Sequence, residues 1–385
     1  MTNDTNNGFN LSTANQSLAD AARKDVVPVE IQRVQTFDPA EFGGLRTITE
    51  RRTNHLVTMK DRLGQYQTKG WHGLGEIVED GKTGEEAVRE FLPWSIERVQ
   101  SFVELDGARK PLPVWANVRS DTREILGVVG PEYTPVQNID LGKFADAMVG
   151  ADSAVRMETC GSLLGGRKVF LLVRVPREVR VGKNGDDVSV PFLLLANGHD
   201  GSMAMTVLWT IERVCCANSY TRALGAVRGS LAEGTAFRIK HVGDVAGQLE
   251  EARRVLGIAA TGLTQYEEQA RALAATAKPI SAIEEYFRSV FEAQFGGKPE
   301  DDLDATAWEI RRDKVVGEWK TLLDSETNTI DGIGGTLWAA LNAVTEWNDH
   351  RRSPGVKGDR RDHLRVLGAG AAAKRHAMRL ALAAV

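Results

Sequence analysis

The sequence lacks most of what would announce a chemistry. Three cysteines, Cys160, Cys215 and Cys216, stand among 385 residues. Three cannot build a disulfide framework, and neighbouring cysteines rarely reach bridge geometry without strain. A reducing compartment is the expectation. No run of about 18 apolar residues occurs, so no transmembrane helix is predicted. The first twenty residues are rich in Asn, Thr and Ser, without the basic start or apolar stretch of a signal peptide. A cytoplasmic location and no membrane partner are therefore expected. A global charge excess is missing too. The formal net charge is −4, so any contact with nucleic acid must come from local clustering.

Cofactor patterns are equally scarce. Gly161 to Val169 suggests a phosphate loop as text, but Arg167 stands where Gly-Lys-Ser/Thr is needed and a strand pattern follows. The stretch is predicted as a hairpin turn. Gly368 to Ala373 fits the dinucleotide fingerprint as text, without the βαβ unit and distal acidic residue that give it meaning. It is predicted as a close-packed helix start. There is no Cys-x-x-Cys and no His-Glu-x-x-His. No cofactor, no metal site and no catalytic residue is assigned.

What is present is an ordinary globular composition, 42% hydrophobic and 26% charged, enough for a sizeable core. The predicted class is α+β: a mainly antiparallel sheet with early helices, followed by a helical C-terminal region. Residues 1–42 read as a disordered polar tail. Residues 43–241 read as the antiparallel α+β domain, with order beginning near Trp71, and 242–385 as the helical region. Thr83 and Glu86 have capping-box spacing for a helix to Leu92. Strands are predicted at 94–105, 114–119 and 125–129, then a helix over 139–149 for which Asn138 is the expected N-cap. Hairpins follow at 155–164/168–175 and 190–196/203–211, with a last strand at 237–241. Cys215-Cys216 is expected at the junction of a strand and a helix, as buried small hydrophobes. Helices are predicted at 243–256, 263–276, 280–294, 304–323, 334–350 and 368–383.

Four phrases resemble the phage/plasmid-like protein family, a domain of unknown function found in phage, plasmid and some bacterial genomes. They are Trp71-His72-Gly73-Leu74-Gly75, the run Gly130-Pro131-Glu132-Tyr133-Thr134-Pro135-Val136-Gln137-Asn138, the run Arg213-Val214-Cys215-Cys216-Ala217-Asn218-Ser219, and Asn342 to His350 followed by Gly368-Ala369-Gly370. Together they span roughly residues 70 to 380. The resemblance implies a genomic context and carries no catalytic residue. Separately, the predicted order helix, three strands, helix over 83–149 is similar to the core of single-strand annealing proteins, an analogy of fold alone.

Charge is uneven in the helical half. Glu250 to Glu326 holds 16 acidic and 10 basic residues, a net of −6. His350 to Arg379 holds nine basic residues against Asp359 and Asp362, a net of +7. Cations of one sign near a Pro- and Gly-containing loop at 353–362 suit phosphate binding with counterion release. The expected nucleic-acid-binding residues are Arg351, Arg352, Lys357, Arg360, Arg361, Arg365, Lys374 and Arg375. Tyr133 would stack on a base and Gln137 would hydrogen-bond it. The plain alternatives are a solvated charged face and a structural loop. The expected function is single-stranded DNA binding as a recombination or replication accessory, with homo-oligomerisation lengthening the groove. One alternative is a metal-dependent nuclease using Glu346, Asp349 and His350, which at i, i+3 and i+4 would share a helical face. The other is a non-enzymatic interaction module using helices 242–350.

Overall fold

The computed structural model describes residues 35–36, 49–50, 57–58, 74–79, 81–151, 156–175, 177–215, 218–223, 237–238, 254, 262–352 and 355–385. The polar tail but for 35–36, Trp71 to Gly73, Cys216 and all but Arg254 of the helix expected over 243–256 lie outside them. The described residues from Thr36 onward fall in one compact unit, and its fold is α+β.

Strand β1 (Glu76–Ile77) precedes helix α1 (Gly84–Phe91), whose capping box forms as the spacing predicts. The Glu86 carboxylate accepts from the Thr83 N–H at 2.8 Å, and Thr83 Oγ1 accepts from the Glu86 N–H at 3.1 Å. A three-stranded meander follows: β2 (Ile96–Leu105), β3 (Ala108–Arg119) and β4 (Ile125–Val129). The β2–β3 turn is Asp106-Gly107, with φ of 53° and 72°. Positive φ at both central residues fits the twist of a two-residue hairpin, which is why Asp-Gly serves there. β3 is longer than predicted despite Pro111 and Pro113. It pairs with β4 only from Trp115 to Val118, so both prolines lie where one side of the strand has no partner.

Helix α2 (Asn138–Ala151) begins where predicted, but Asn138 is not its cap. Its Nδ2 donates to the carbonyls of Leu92 (3.3 Å) and Trp94 (2.8 Å), and its Oδ1 meets His199 Nε2 at 2.8 Å. Asp140 instead reaches back to the Gln137 N–H at 3.0 Å. A buried asparagine with three internal partners is worth more to the fold than an exposed cap.

Strands β5 (Arg156–Leu163), β6 (Lys168–Arg174), β7 (Val179–Val181), β8 (Asp187–Gly198), β9 (Thr206–Arg213), β10 (Asn218–Ala223) and β11 (Phe237–Arg238) complete the central sheet. Its order is β10-β9-β8-β6-β5-β1, with β7 beside β8 and β11 beside β9, all antiparallel. β10 replaces the helix expected after the cysteines: its ladder from Asn218 to Ala223 satisfies the open edge of β9. Both sheet faces are buried. Leu193 and Leu195 of β8 join the helix-side core, and Phe192 and Leu194 join a second cluster on the opposite face. That explains the nearly unbroken apolar run from Val190 to Ala196.

The helical half follows the predicted breaks. Helix α3 spans 262–275 with Leu263, Tyr266, Ala270 and Leu273 as its buried stripe. Helices α4 (Ile280–Phe295) and α5 (Asp302–Leu323) pack through Phe287, Phe291, Trp308 and Trp319, and α6 (Leu337–Glu346) follows, buried along its whole length. Helix α7 (Gly358–Val366) takes up the second half of the loop expected at 353–362, and α8 (Ala369–Ala383) closes the bundle.

One buried clamp joins sheet to helices. Asp187 of β8 takes a two-pronged pair from Arg213 of β9, Nε–Oδ1 2.7 Å and Nη2–Oδ2 2.9 Å, and a third bond from Trp338 Nε1 of α6 at 2.6 Å. Arg213 also donates to Asn328 Oδ1 (2.8 Å) and the Thr327 carbonyl (2.6 Å). Thr327 Oγ1 and Asn328 Nδ2 in turn donate to Glu346 Oε2 at 2.8 and 3.3 Å. Two of the four motif phrases thus meet inside the core, where desolvated charge is tolerated only when fully partnered.

Candidate anion-binding site

The site is built where α6 changes its winding. After Glu346 the chain makes a π-helical turn, Trp347–Arg351, closed by the Arg352 N–H on the Trp347 carbonyl at 2.8 Å. Such turns often mark functional positions because one extra residue per turn re-aims the side chains that follow. Here it separates the three residues that an α-helix would align. Glu346 faces Thr327 and Asn328, Asp349 turns inward to Lys374, and His350 is exposed. The shared face expected for Glu346, Asp349 and His350 therefore does not form. Among the described residues no group of three or more His, Cys, Asp and Glu side chains is placed to hold a metal ion.

The turn, α7 and the start of α8 enclose a cleft of about 230 Å³ lined by Asn348, Asp349, His350, Arg352, Arg361, Leu364, Arg365, Ala369 and Gly370. Glycine is needed at the α7–α8 junction. A Cβ on Gly368 would lie 2.9 Å from the Leu364 Cα, and one on Gly370 2.9 Å from the Arg365 Cα. No side chain caps the α8 N-terminus, and Ala369 and Gly370 of its first turn line the cleft, where a helix start carries positive partial charge.

The base of the cleft is an enclosed ion pair. Lys374 Nζ lies 2.7 Å from Asp349 Oδ1, and both side chains are fully buried. Burial holds the Lys374 pKa below the usual lysine range, while Asp349 pulls it back up. Beside it Glu212 Oε2 is enclosed without a hydrogen-bond partner. Burial first, and the Asp349 charge second, push the Glu212 carboxyl up to about 8, against the pull of Arg365. Burial also lowers Arg352 and Arg365, and Arg311 adds like-charge repulsion at Arg352. Partly desolvated guanidiniums crowded in this way favour an incoming anion.

The sequence-predicted residues divide into groups. Arg352, Arg361 and Arg365 line the cleft. Lys357 and Arg360 are exposed beside Arg361 at the start of α7, and Arg375 is exposed on α8. Arg351 is half-buried at the end of the π turn. Lys374 is committed to Asp349, so its charge is spent internally. Tyr133 is half-buried, with its hydroxyl donating to the Gly198 carbonyl at 3.2 Å. The Gln137 amide is occupied by Ile96, accepting at 2.8 Å and donating at 3.0 Å. Asn348 and Asp349, which line the cleft, escaped the sequence reading as cleft residues, as did Glu212 behind it. The uncapped Gly-Ala-Gly helix start behind a basic stretch was the one local signal for the site.

Fold and cleft define an α+β protein in which helices packed on an antiparallel sheet carry an arginine-lined cleft. Residues 125–379 match the family described as Domain of unknown function (DUF932). The chain belongs to that family. The match runs from β4 into α8, so it takes in the cleft and leaves out α1, β2 and β3. No curated protein and no solved structure matches the chain.

Proposed function

We propose that this protein binds single-stranded DNA through phosphate contacts, as a non-enzymatic accessory to recombination or replication in a mobile element. The observation that carries it is the gathering of Arg352, Arg361 and Arg365 around an uncapped helix N-terminus, with Lys357, Arg360 and Arg375 exposed nearby. Guanidiniums and free N–H groups are the donors that phosphates select. The genomic setting rests on the motif resemblance alone.

Fluorescence anisotropy with single- and double-stranded oligonucleotides at two salt concentrations tests it. Tighter binding of the single strand, weakening steeply with salt by about 0.7 in log–log slope per neutralised phosphate, is expected. No binding at low salt overturns it. The alternative is then a protein-interaction module, favoured by the exposed apolar side chains Val99, Phe102, Leu105, Ile125 and Val128 of the β2–β4 meander.

A further inference from the structure

We propose that the cleft between the π turn, α7 and the α8 N-terminus is a pocket for a phosphate monoester dianion: the terminal phosphate of a strand or of a mononucleotide. This deepens the strand-binding proposal by naming the group that enters the cleft.

Charge is the first argument. Four cations line or back the cleft, Arg352, Arg361, Arg365 and Lys374, against two carboxylates, Asp349 and Asp362. Asp349 is neutralised by Lys374, and Asp362 lies 3.3 Å from Arg365 and 3.5 Å from Arg361. Two positive charges remain over, which a terminal phosphate matches and an internal phosphodiester half-matches. Burial, with the Asp349 charge beside it, pushes the Glu212 carboxyl up, which weakens its opposition to this excess.

Shape is the second argument. The cleft is smaller than the 300–1,000 Å³ or so typical of drug-sized ligand sites. It ends on the fully buried Asp349–Lys374 pair, so it accepts a chain end more readily than a backbone passing through. The donors are the third. Two-pronged guanidiniums and first-turn N–H groups at Ala369 and Gly370 suit the several oxygens of a terminal phosphate.

The test compares one single-stranded oligonucleotide with a 5′-phosphate, a 3′-phosphate or hydroxyls at both ends by anisotropy. Alongside it, a nucleoside 5′-monophosphate, the free nucleoside and inorganic phosphate are titrated by calorimetry. The full-length chain and its Arg361→Ala and Arg361→Lys variants are used. Arg361 is half exposed, so both variants should fold, and unchanged melting checks this. One terminal phosphate should tighten strand binding by roughly 10- to 100-fold, the worth of one or two charge-assisted bonds. Arg361→Ala should erase the difference, and Arg361→Lys should restore part of it. Equal affinity for phosphorylated and unphosphorylated ends, with Arg361→Ala weakening both alike, overturns the pocket and leaves strand binding standing. Monophosphate binding that depends on Arg361, with no strand binding, supports the pocket and overturns the strand. Binding of none of the phosphorylated ligands overturns both.

Discussion

Replacing Asp187 by Asn changes one charge and almost no volume, at the point where the sheet is tied to the helices. Asp187 is fully buried and receives three hydrogen bonds, two from Arg213 and one from Trp338. Asparagine keeps one acceptor oxygen, which can serve Trp338 or one guanidinium N–H. Its amide then points donors at a buried donor. Removing one member of a buried ion pair typically costs about 3–5 kcal/mol, because the surviving charge loses its compensation. Arg213 retains Asn328 Oδ1 and the Thr327 carbonyl, so the lower end, about 3 kcal/mol, is expected. That is a large share of the 5–15 kcal/mol or so that holds a typical protein folded. Urea denaturation followed by tryptophan fluorescence should show a lower midpoint at unchanged slope. The double variant Asp187→Asn with Arg213→Met should recover part of the loss, since the stranded charge is gone. A loss under about 1 kcal/mol for Asp187→Asn, or a double variant worse than the sum of the singles, would refute the clamp.

Four further outcomes follow from the structure. Glu212 has a folded pKa of about 8 against an ordinary 4.5, so the folded state holds extra protons between those values and the parent loses stability as pH rises through them. Glu212→Gln should therefore gain on the parent by up to about 5 kcal/mol between pH 4.5 and 8, and parallel stability curves across that range would dismiss the idea. His199 is buried neutral with a folded pKa of about 4 against 6.5, so its contribution is complete above pH 6.5 and fades as pH falls through 4. Removing it with His199→Gln should flatten acid denaturation in that window by about 3 kcal/mol; an unaltered acid limb in pH-jump denaturation counts against it. Trp94, buried under Arg119 at 4.3 Å and edge-on to His199 at 5.4 Å, should cost about 3–5 kcal/mol on truncation to Ala, read as a lowered melting temperature without loss of strand binding by the residual fold. Alanine at Lys357, Arg360 and Arg361 together should flatten the salt slope of single-strand binding by up to about 2 with melting unchanged, and an identical slope would remove α7 from the interface.

Much of this fold could be read along the chain because it is set by neighbours in sequence. The Thr83–Glu86 spacing makes its own cap, and Leu263, Tyr266, Ala270 and Leu273 declare a helix by period alone. The apolar stripes of α3 to α5 and the Gly and Pro breaks between them needed no tertiary knowledge, and neither did the hairpin turn at Ser120–Arg123; the turn expected at Asn197–Gly201 falls later, at 199–205, because Asn197 and Gly198 pair with β6. The motif phrases sufficed to place the chain in its family. The Asp106-Gly107 turn is equally local, although Pro111 and Pro113 interrupt the strand pattern that follows it. Other features were decided only in three dimensions. Strand β10 exists because β9 offers an open edge. Asn138 leaves its capping position because the carbonyls of Leu92 and Trp94 and the ring of His199 converge on it. The basic segment divides according to what surrounds each residue: Lys374 sinks onto Asp349 while Arg360 stays in water. The π turn at 347–351 is the clearest case, since one extra residue in a helical turn undoes the i, i+3, i+4 alignment of Glu346, Asp349 and His350. Sequence period fixes which residues could share a face; burial, desolvation and the partners within reach determine which of them do.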